Sequence, residues 1–148
     1  MLHFEGDKDL PLAPDAVTAK LGDAGFLAQC IPGVEAVAQA EPRRAAWKLR
    51  PGFSFVRGTL DITLDVTEVV PGSSVRYHVA GKGIGSSNTV AAHADVTPQG
   101  GGSRVRWTVD ITELGGLLKA VPQGLLRGAA QKVIDDIWNN VAARMASA

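Results

Sequence analysis

At 148 residues, with fifteen basic and fifteen acidic side chains and three histidines, the chain has the length of one ordinary domain, which would bury roughly 70% of the surface its unfolded form exposes. The charges cancel and form no block of one sign, so nothing supplies the dense positive field that phosphate backbones require, and nucleic acid is not expected as a partner. A single cysteine, Cys30, permits no internal disulfide and no Cys/His spacing suits zinc, so a reduced cytoplasmic protein with no metal and no cofactor is expected.

The opening residues MLHFEGDKDL carry charge where a signal peptide needs an apolar run. No apolar stretch reaches the roughly 20 residues needed to span a bilayer. Within this opening, Leu2, Phe4 and Gly6 alternate with His3, Glu5 and Asp7, which predicts a first strand ending before Pro11. Pro14-Asp15 then opens a periodic segment with Val17, Leu21, Phe26 and Leu27 on one side, divided by Gly22 and Gly25. It is read as two short helices in tandem, the second stopped by Pro32-Gly33.

Over residues 34–112 the period becomes two. Trp47 and Leu49 alternate with Lys48 and Arg50; Leu60, Ile62, Leu64 and Val66 with Asp61, Thr63 and Asp65; Val75, Tyr77 and Val79 with Arg76 and His78. Val90, Ala92, Ala94 and Val96 alternate with His93 and Asp95, and Val105, Trp107, Val109 and Ile111 with Arg106, Thr108 and Asp110. Such alternation predicts an antiparallel sheet with one dry and one wet face. Glu41-Pro42, Pro71-Gly72 and the glycines at 83–85 and 100–102 supply hairpin turns. Last comes a helical stripe of Leu125, Leu126, Ala129, Ala130, Val133, Ile134, Ile137, Trp138 and Val141. A helix over 122–144 would be about 33 Å long, with Pro122 in its first turn.

Some six strands, two short helices and one long amphipathic helix imply an α+β fold in which a curved antiparallel sheet wraps the last helix. The inner face mixes bulky Trp47, Tyr77 and Trp107 with small Val90, Ala92 and Ala94. Two outcomes stay open: an apolar pocket, or a solid core in which the small residues receive the large ones. If a cavity exists, its expected lining is Trp47, Phe53, Phe55, Tyr77, Val90, Ala92, Trp107, Val109, Leu118, Val121 and Leu125. Its mouth is expected near Leu114-Gly115-Gly116-Leu117-Leu118 and the loop Pro51-Gly52-Phe53-Ser54-Phe55, whose aromatics have the alternative of folding back onto the core. A buried Tyr77 hydroxyl must find a partner in ligand, water or backbone.

No catalytic residue is assigned. His3, His78 and His93 all fall out of phase with the apolar face, and only a strand bulge would bring one inside. Asp135 and Asp136 are adjacent on a helix, splay by about 100°, and read as a solvated face. Asp110 and Arg106 share a strand face, where Arg76 or Asp95 are expected as exposed ion-pair partners. Gly81-Lys82-Gly83-Ile84-Gly85 lacks the ending of a phosphate loop and reads as a hairpin turn. Cys30, at a helix C-terminus where the dipole disfavours a thiolate, reads as a packing residue.

Leu27-x-x-Cys30-Ile31-Pro32-Gly33, about thirty residues from the start, resembles the hallmark of the CoxG family of carbon monoxide dehydrogenase subunits, within the START-like, helix-grip SRPBCC superfamily. Gly58 with its following strand, Gly81-Lys82-Gly83, the alternating stretch 91–96, Gly115-Gly116, Ala129-Ala130, Asp135-Asp136 and Trp138 also match, over nearly the whole chain. The resemblance implies a β-α-α-β6-α helix-grip fold with a hydrophobic cavity. It also implies a role beside molybdenum hydroxylases of the CO dehydrogenase type, in maturation, membrane recruitment or handling of a lipophilic carrier such as a quinone. Some relatives have a membrane-binding tail beyond the last helix; the sequence stops at Ala148, which puts anchoring in question and leaves peripheral membrane contact as an open expectation. Pro122 falls where relatives are expected to continue their helix, so a differently shaped pocket mouth is expected.

The leading expectation is a non-catalytic carrier of a lipid-like or quinone-like molecule, accessory to a molybdenum hydroxylase. The alternatives are a START-fold enzyme of the cyclase, aromatase or hydrolase type, and a docking module without a ligand. A solvated outer sheet face favours a monomer, with an edge strand as the route to a weak dimer.

Overall fold

The computed structural model describes residues 2–50, 58–83 and 85–146. Strand β1 (Leu2–Leu10) is followed by helices α1 (Pro14–Leu21) and α2 (Ala24–Ala28). Strands β2 (Val34–Ala40), β3 (Arg44–Leu49), β4 (Leu60–Val70), β5 (Ser74–Gly83), β6 (Ser86–Gln99) and β7 (Gly102–Gly116) come next. A 3-10 turn over Leu117–Ala120 then leads into the long helix α3 (Gln123–Ala146). The seven strands form one antiparallel sheet in the order β1-β7-β6-β5-β4-β3-β2. It is the expected α+β helix-grip architecture, a curved sheet around α3.

Alternation decides which face is inside. Leu60, Ile62, Leu64 and Val66 of β4 are all buried, as are Leu2 and Phe4 of β1 and Val105 and Trp107 of β7, while Asp61, His3, Arg104 and Arg106 are exposed. At roughly 25 cal/mol per Å² of apolar surface removed from water, this face is the main source of the fold's stability. β2 lacks the alternating signature. Most of its residues are exposed and its pairing to β3 slips at Val34/Ala36 and Val37/Gln39. An edge strand packs little on either face, and bulges discourage further strand pairing, so no period of two was needed there.

Helix α1 starts at Pro14, where a missing N–H costs nothing. Helix α2 is capped by Asp23, whose Oδ1 accepts from the N–H of Gly25 at 2.9 Å and of Phe26 at 3.3 Å. α2 ends at Ala28, ahead of the expected stop at Pro32-Gly33. Gly33 instead sets the entry to β2: its φ is +82°, and a Cβ there would lie 2.5 Å from the Arg50 carbonyl oxygen. Only glycine tolerates both conditions.

α3 begins one residue after Pro122, whose carbonyl accepts the first helical bond from Leu126 N–H at 3.0 Å. Leu126, Ile134, Val141 and Met145 are buried, with Ala130, Ile137 and Trp138 packed beside them. Leu125, expected in the cavity lining, points outward with 52% exposure. Adjacent helical residues differ by about 100° in direction, and Leu126 holds the inward position.

The helix is latched along its length. Arg127 donates to the His3 carbonyl at 3.1 Å and lies 5.1 Å above the Phe4 ring. Trp138 stacks on Trp107 with centroids 6.1 Å apart. Lys8 donates to Asn139 Oδ1 at 3.1 Å, and Asn140 Nδ2 donates to the Cys30 carbonyl at 2.9 Å.

Candidate functional site

The space between sheet and α3 has two unlike ends. At one, Val75, Ala94, Val96 and Val105 are buried on the strands that α1 covers with Val17 and Leu21. Polar atoms close this end. The Tyr77 hydroxyl donates to the Leu21 carbonyl at 2.6 Å, and Ser103 Oγ donates to the Leu12 carbonyl at 2.7 Å. Buried Thr18 donates to the α1 backbone and accepts from Gly72 N–H at 2.8 Å, tying the β4–β5 turn to the helix. Burial pushes the Tyr77 pKa well above its ordinary value, so the hydroxyl stays protonated.

Towards the other end the same strands stay partly open. Val79, Val90, Ala92, Val109 and Ile111 continue the inner face, and all are half-buried. Here a pocket of about 260 Å³ lies between the end of β7, the 3-10 turn and the start of α3. Leu2, Ile111, Leu114, Leu118, Val121 and Leu126 supply its apolar lining; Thr112, Glu113, Lys119 and Gln123 supply polar atoms. Glu113, Lys119 and Gln123 are exposed, so charge stands at the rim.

A bulge shapes this pocket. Val90 pairs with Ile111 but Thr89 pairs with Glu113, leaving Thr112 extra. A bulge shifts the phase of a strand, so the inward set of Val105, Trp107, Val109 and Ile111 continues with Leu114. Strict alternation from Ile111 would assign position 113 to the inside; Leu114, expected in the segment at the cavity mouth, reaches the pocket wall through this shift of phase. Past it, Gly116 has φ +63°, and a Cβ there would overlap the Gly85 carbonyl. This glycine lets the chain leave β7 for the 3-10 turn.

Of the expected lining, Leu118 and Val121 touch this pocket. Val90, Ala92 and Val109 lie on the half-open inner face, and Trp107 is buried under Trp138. Tyr77 spends its hydroxyl on Leu21 and presents none to a ligand. Trp47 is buried on β3, and its indole Nε1–H has no hydrogen-bond partner among the described residues. Phe53 and Phe55, with the loop at 51–55, lie outside the described residues. Leu2, Ile111 and Leu126 were legible as inward residues but not as pocket walls, because the pocket's position depends on where α3 begins.

The outer face carries paired charges. His3 Nδ1 meets Asp110 Oδ1 at 2.5 Å, and this bond raises the histidine pKa. Asp110 thus pairs with His3 rather than with Arg76, whose neighbour is Glu68 at 3.5 Å. His78 is exposed and His93 pairs with Asp95 at 3.0 Å on the same outer face. Asp135 and Asp136 bond Gln131 and Lys132 one turn earlier on α3, as a solvated face does. Among the described residues no group of three or more His, Cys, Asp or Glu is arranged to hold a metal ion, and no helix is long and apolar enough to cross a membrane.

Cys30 is fully buried, its thiol directed at the Phe26 carbonyl at 3.5 Å, and burial raises its pKa while Arg144 pulls it down. Its backbone matters more: the Cys30 carbonyl receives Asn140 of α3, and Gln29 receives Arg144 at 3.1 Å. The Cys-Ile-Pro-Gly corner is therefore the seat of the last helix.

A crystal structure of a conserved protein from Geobacillus kaustophilus superposes with a TM-score of 0.86 at 25% identity, covering 99% of this chain and 96% of that one. A START superfamily protein from Mycobacterium smegmatis gives 0.69 at 9% identity, covering 98% and 97%. A protein from Thermus thermophilus, TTHA0849, gives 0.67 at 14%, covering 99% and 98%. No curated protein matches the sequence. The family of the carbon monoxide dehydrogenase CoxG subunit matches residues 6–146, and with that match spanning nearly the whole START-like fold, the chain belongs to the CoxG family.

Proposed function

We propose that this protein binds a hydrophobic small molecule between its sheet and α3, without catalysis, as an accessory to a CO dehydrogenase-type molybdenum hydroxylase. The observation that carries the binding role is the pocket of about 260 Å³ at the start of α3, continuous in phase with a half-open apolar sheet face. Its volume lies just below the roughly 300–1,000 Å³ common for small-molecule sites. A ring system or the end of a lipid-like chain suits it, with the rest lying along Val90, Ala92 and Val109.

Apolar walls would strip water from such a ligand, and polar residues at the rim would leave its exit wet. The carrier reading is favoured over an enzyme by the interior's chemistry. Among the described residues the buried polar ones are Thr18 and Ser103, both hydrogen-bonded to backbone, and neither is an acid or base near neutral pH. The link to a CO dehydrogenase rests on the family's name, its molybdenum hydroxylase type on the sequence resemblance, and a lipid or quinone-like ligand on the apolar lining. Peripheral membrane contact is the corresponding loading route.

Native mass spectrometry after mild extraction, followed by quinone and phospholipid titrations, tests the binding role; saturable binding is expected, and no bound species with no saturable binding would refute it. Co-purification with molybdenum hydroxylase subunits tests the partner.

A further inference from the structure

The rim of the pocket carries two opposite charges that do not meet. Glu113 stands on the β7 wall, Lys119 on the wall made by the 3-10 turn, and the Gln123 amide at the start of α3; all three line the pocket and all are exposed. Elsewhere on the sheet opposite charges are commonly joined: Arg104 meets Asp9 at 3.0 Å, Arg44 meets Asp65 at 2.9 Å and Lys48 meets Asp61 at 3.0 Å. Glu113 and Lys119 pair neither with each other nor with any other described residue, and the Gln123 side chain is equally free. The fourth polar wall residue, Thr112, is already committed, its hydroxyl donating to the Thr89 carbonyl at 3.3 Å.

The course of the chain keeps the two charges on different walls. Glu113 follows the Thr112 bulge, which turns Leu114 to the pocket and leaves position 113 outward. Gly116 then swings the chain off the sheet into the turn that buries Leu118 and exposes Lys119. Each charge is thus the sequence neighbour of an apolar wall residue, Glu113 of Leu114 and Lys119 of Leu118. A ligand seated on those walls brings its polar end to both. An anionic head would gain Lys119 and be repelled by Glu113, a cationic head would meet the reverse, and an uncharged head leaves both charges to water. A head with a cation and an anion satisfies both, and a carboxylate, which only accepts hydrogen bonds, selects a protonated amine over a quaternary one.

We infer that the pocket selects a zwitterionic amphiphile: its chain lies on the apolar walls, its ammonium meets Glu113, and its phosphate meets Lys119 with the Gln123 amide donating to the same phosphate. The inference rests on the binding role proposed above and narrows its ligand to a lipid whose head carries both charges, of which phosphoethanolamine is the simplest. An exposed ion pair adds only a few-fold in affinity, so the apolar walls supply the bulk of binding and the rim chooses among heads.

Isothermal titration of the full chain with lipids that share one lauroyl chain tests this: lysophosphatidylethanolamine, lysophosphatidylcholine, lysophosphatidic acid and uncharged monolaurin. Wild type should bind the ethanolamine lipid tightest, about three- to fivefold over the anionic and uncharged ones, with the choline lipid, which has no N–H, weaker than it. Lys119→Met should weaken the ethanolamine lipid and lysophosphatidic acid by about three- to fivefold and leave monolaurin within about twofold. Glu113→Gln should weaken the ethanolamine lipid and strengthen lysophosphatidic acid, a crossing that no general loosening of the pocket produces. High salt should bring the ethanolamine lipid down towards monolaurin. A uniform change across the lipids in either folded variant, or monolaurin binding tightest to wild type, overturns the charge selection and leaves the binding role standing. If wild type binds none of the four, the binding role itself falls.

Discussion

The two ends of the inner sheet face are built from similar aliphatic residues and differ in what covers them. At the closed end, α1 covers Val75, Ala94 and Val105 with Val17 and Leu21, and Tyr77, Ser103 and Thr18 seal the seams with hydrogen bonds. At the open end the same strands carry Val79, Val90, Ala92, Val109 and Ile111, and the cover is a 3-10 turn and the first turn of α3. A turn without regular side-chain ridges cannot fill a curved sheet as a helix does, and the pocket remains there. The strands β5 to β7 are fully covered at one end and leave a pocket at the other.

This contrast can be broken in several ways. The largest effect is expected at the corner that seats α3: Gly33→Val adds a side chain at φ +82° against the Arg50 carbonyl and should cost about 3 kcal/mol or more, read as loss of soluble protein or a collapsed melting temperature. Next, Leu21→Ala at the closed end should cost about 2–5 kcal/mol in chemical denaturation. Ile111→Ala at the open end should cost about 1 kcal/mol while changing ligand affinity. Equal costs at the two ends would remove the distinction.

Alkaline pH probes the seal directly. Because the folded state holds the Tyr77 pKa far above its ordinary 10.0, the unfolded chain loses that proton first. The stability it supports is intact below about pH 10 and falls by about 1.4 kcal/mol per pH unit above it. Tyr77→Phe should remove this part of the alkaline slope, measured as wild type minus variant so that Cys30, which titrates in the same direction, cancels. At neutral pH the same variant loses the Leu21 bond, about 1 kcal/mol. Asn140→Ala, which frees the Cys30 carbonyl, should also cost about 1 kcal/mol and loosen α3, seen as faster amide exchange in its second half. Smallest of all, Cys30→Ala should fold and still bind, at a cost of about 1 kcal/mol for the lost packing; a folded variant without function would make the thiol more than a packing residue.

Much of this molecule was legible residue by residue. Leu60, Ile62, Leu64 and Val66 announce a strand with one dry face, since side chains alternate strictly where one face is buried. The tandem helices, four hairpin turns and the final helix follow from the same periodicities, and the Cys-Ile-Pro-Gly corner points to the family. β2 was not legible by alternation because an exposed, bulged edge strand has no dry face to record.

The sequence by itself determined six of the seven strands, the helices, most of their inward residues and the family, because each depends on contacts within a few residues or on one repeating period. Only the tertiary structure decided where those inward residues leave space. The Thr112 bulge brought Leu114 to the pocket wall, and the start of α3 turned Leu126 in and Leu125 out. Phase slips and pairings between distant strands leave no local trace, and the position of a pocket is set by them.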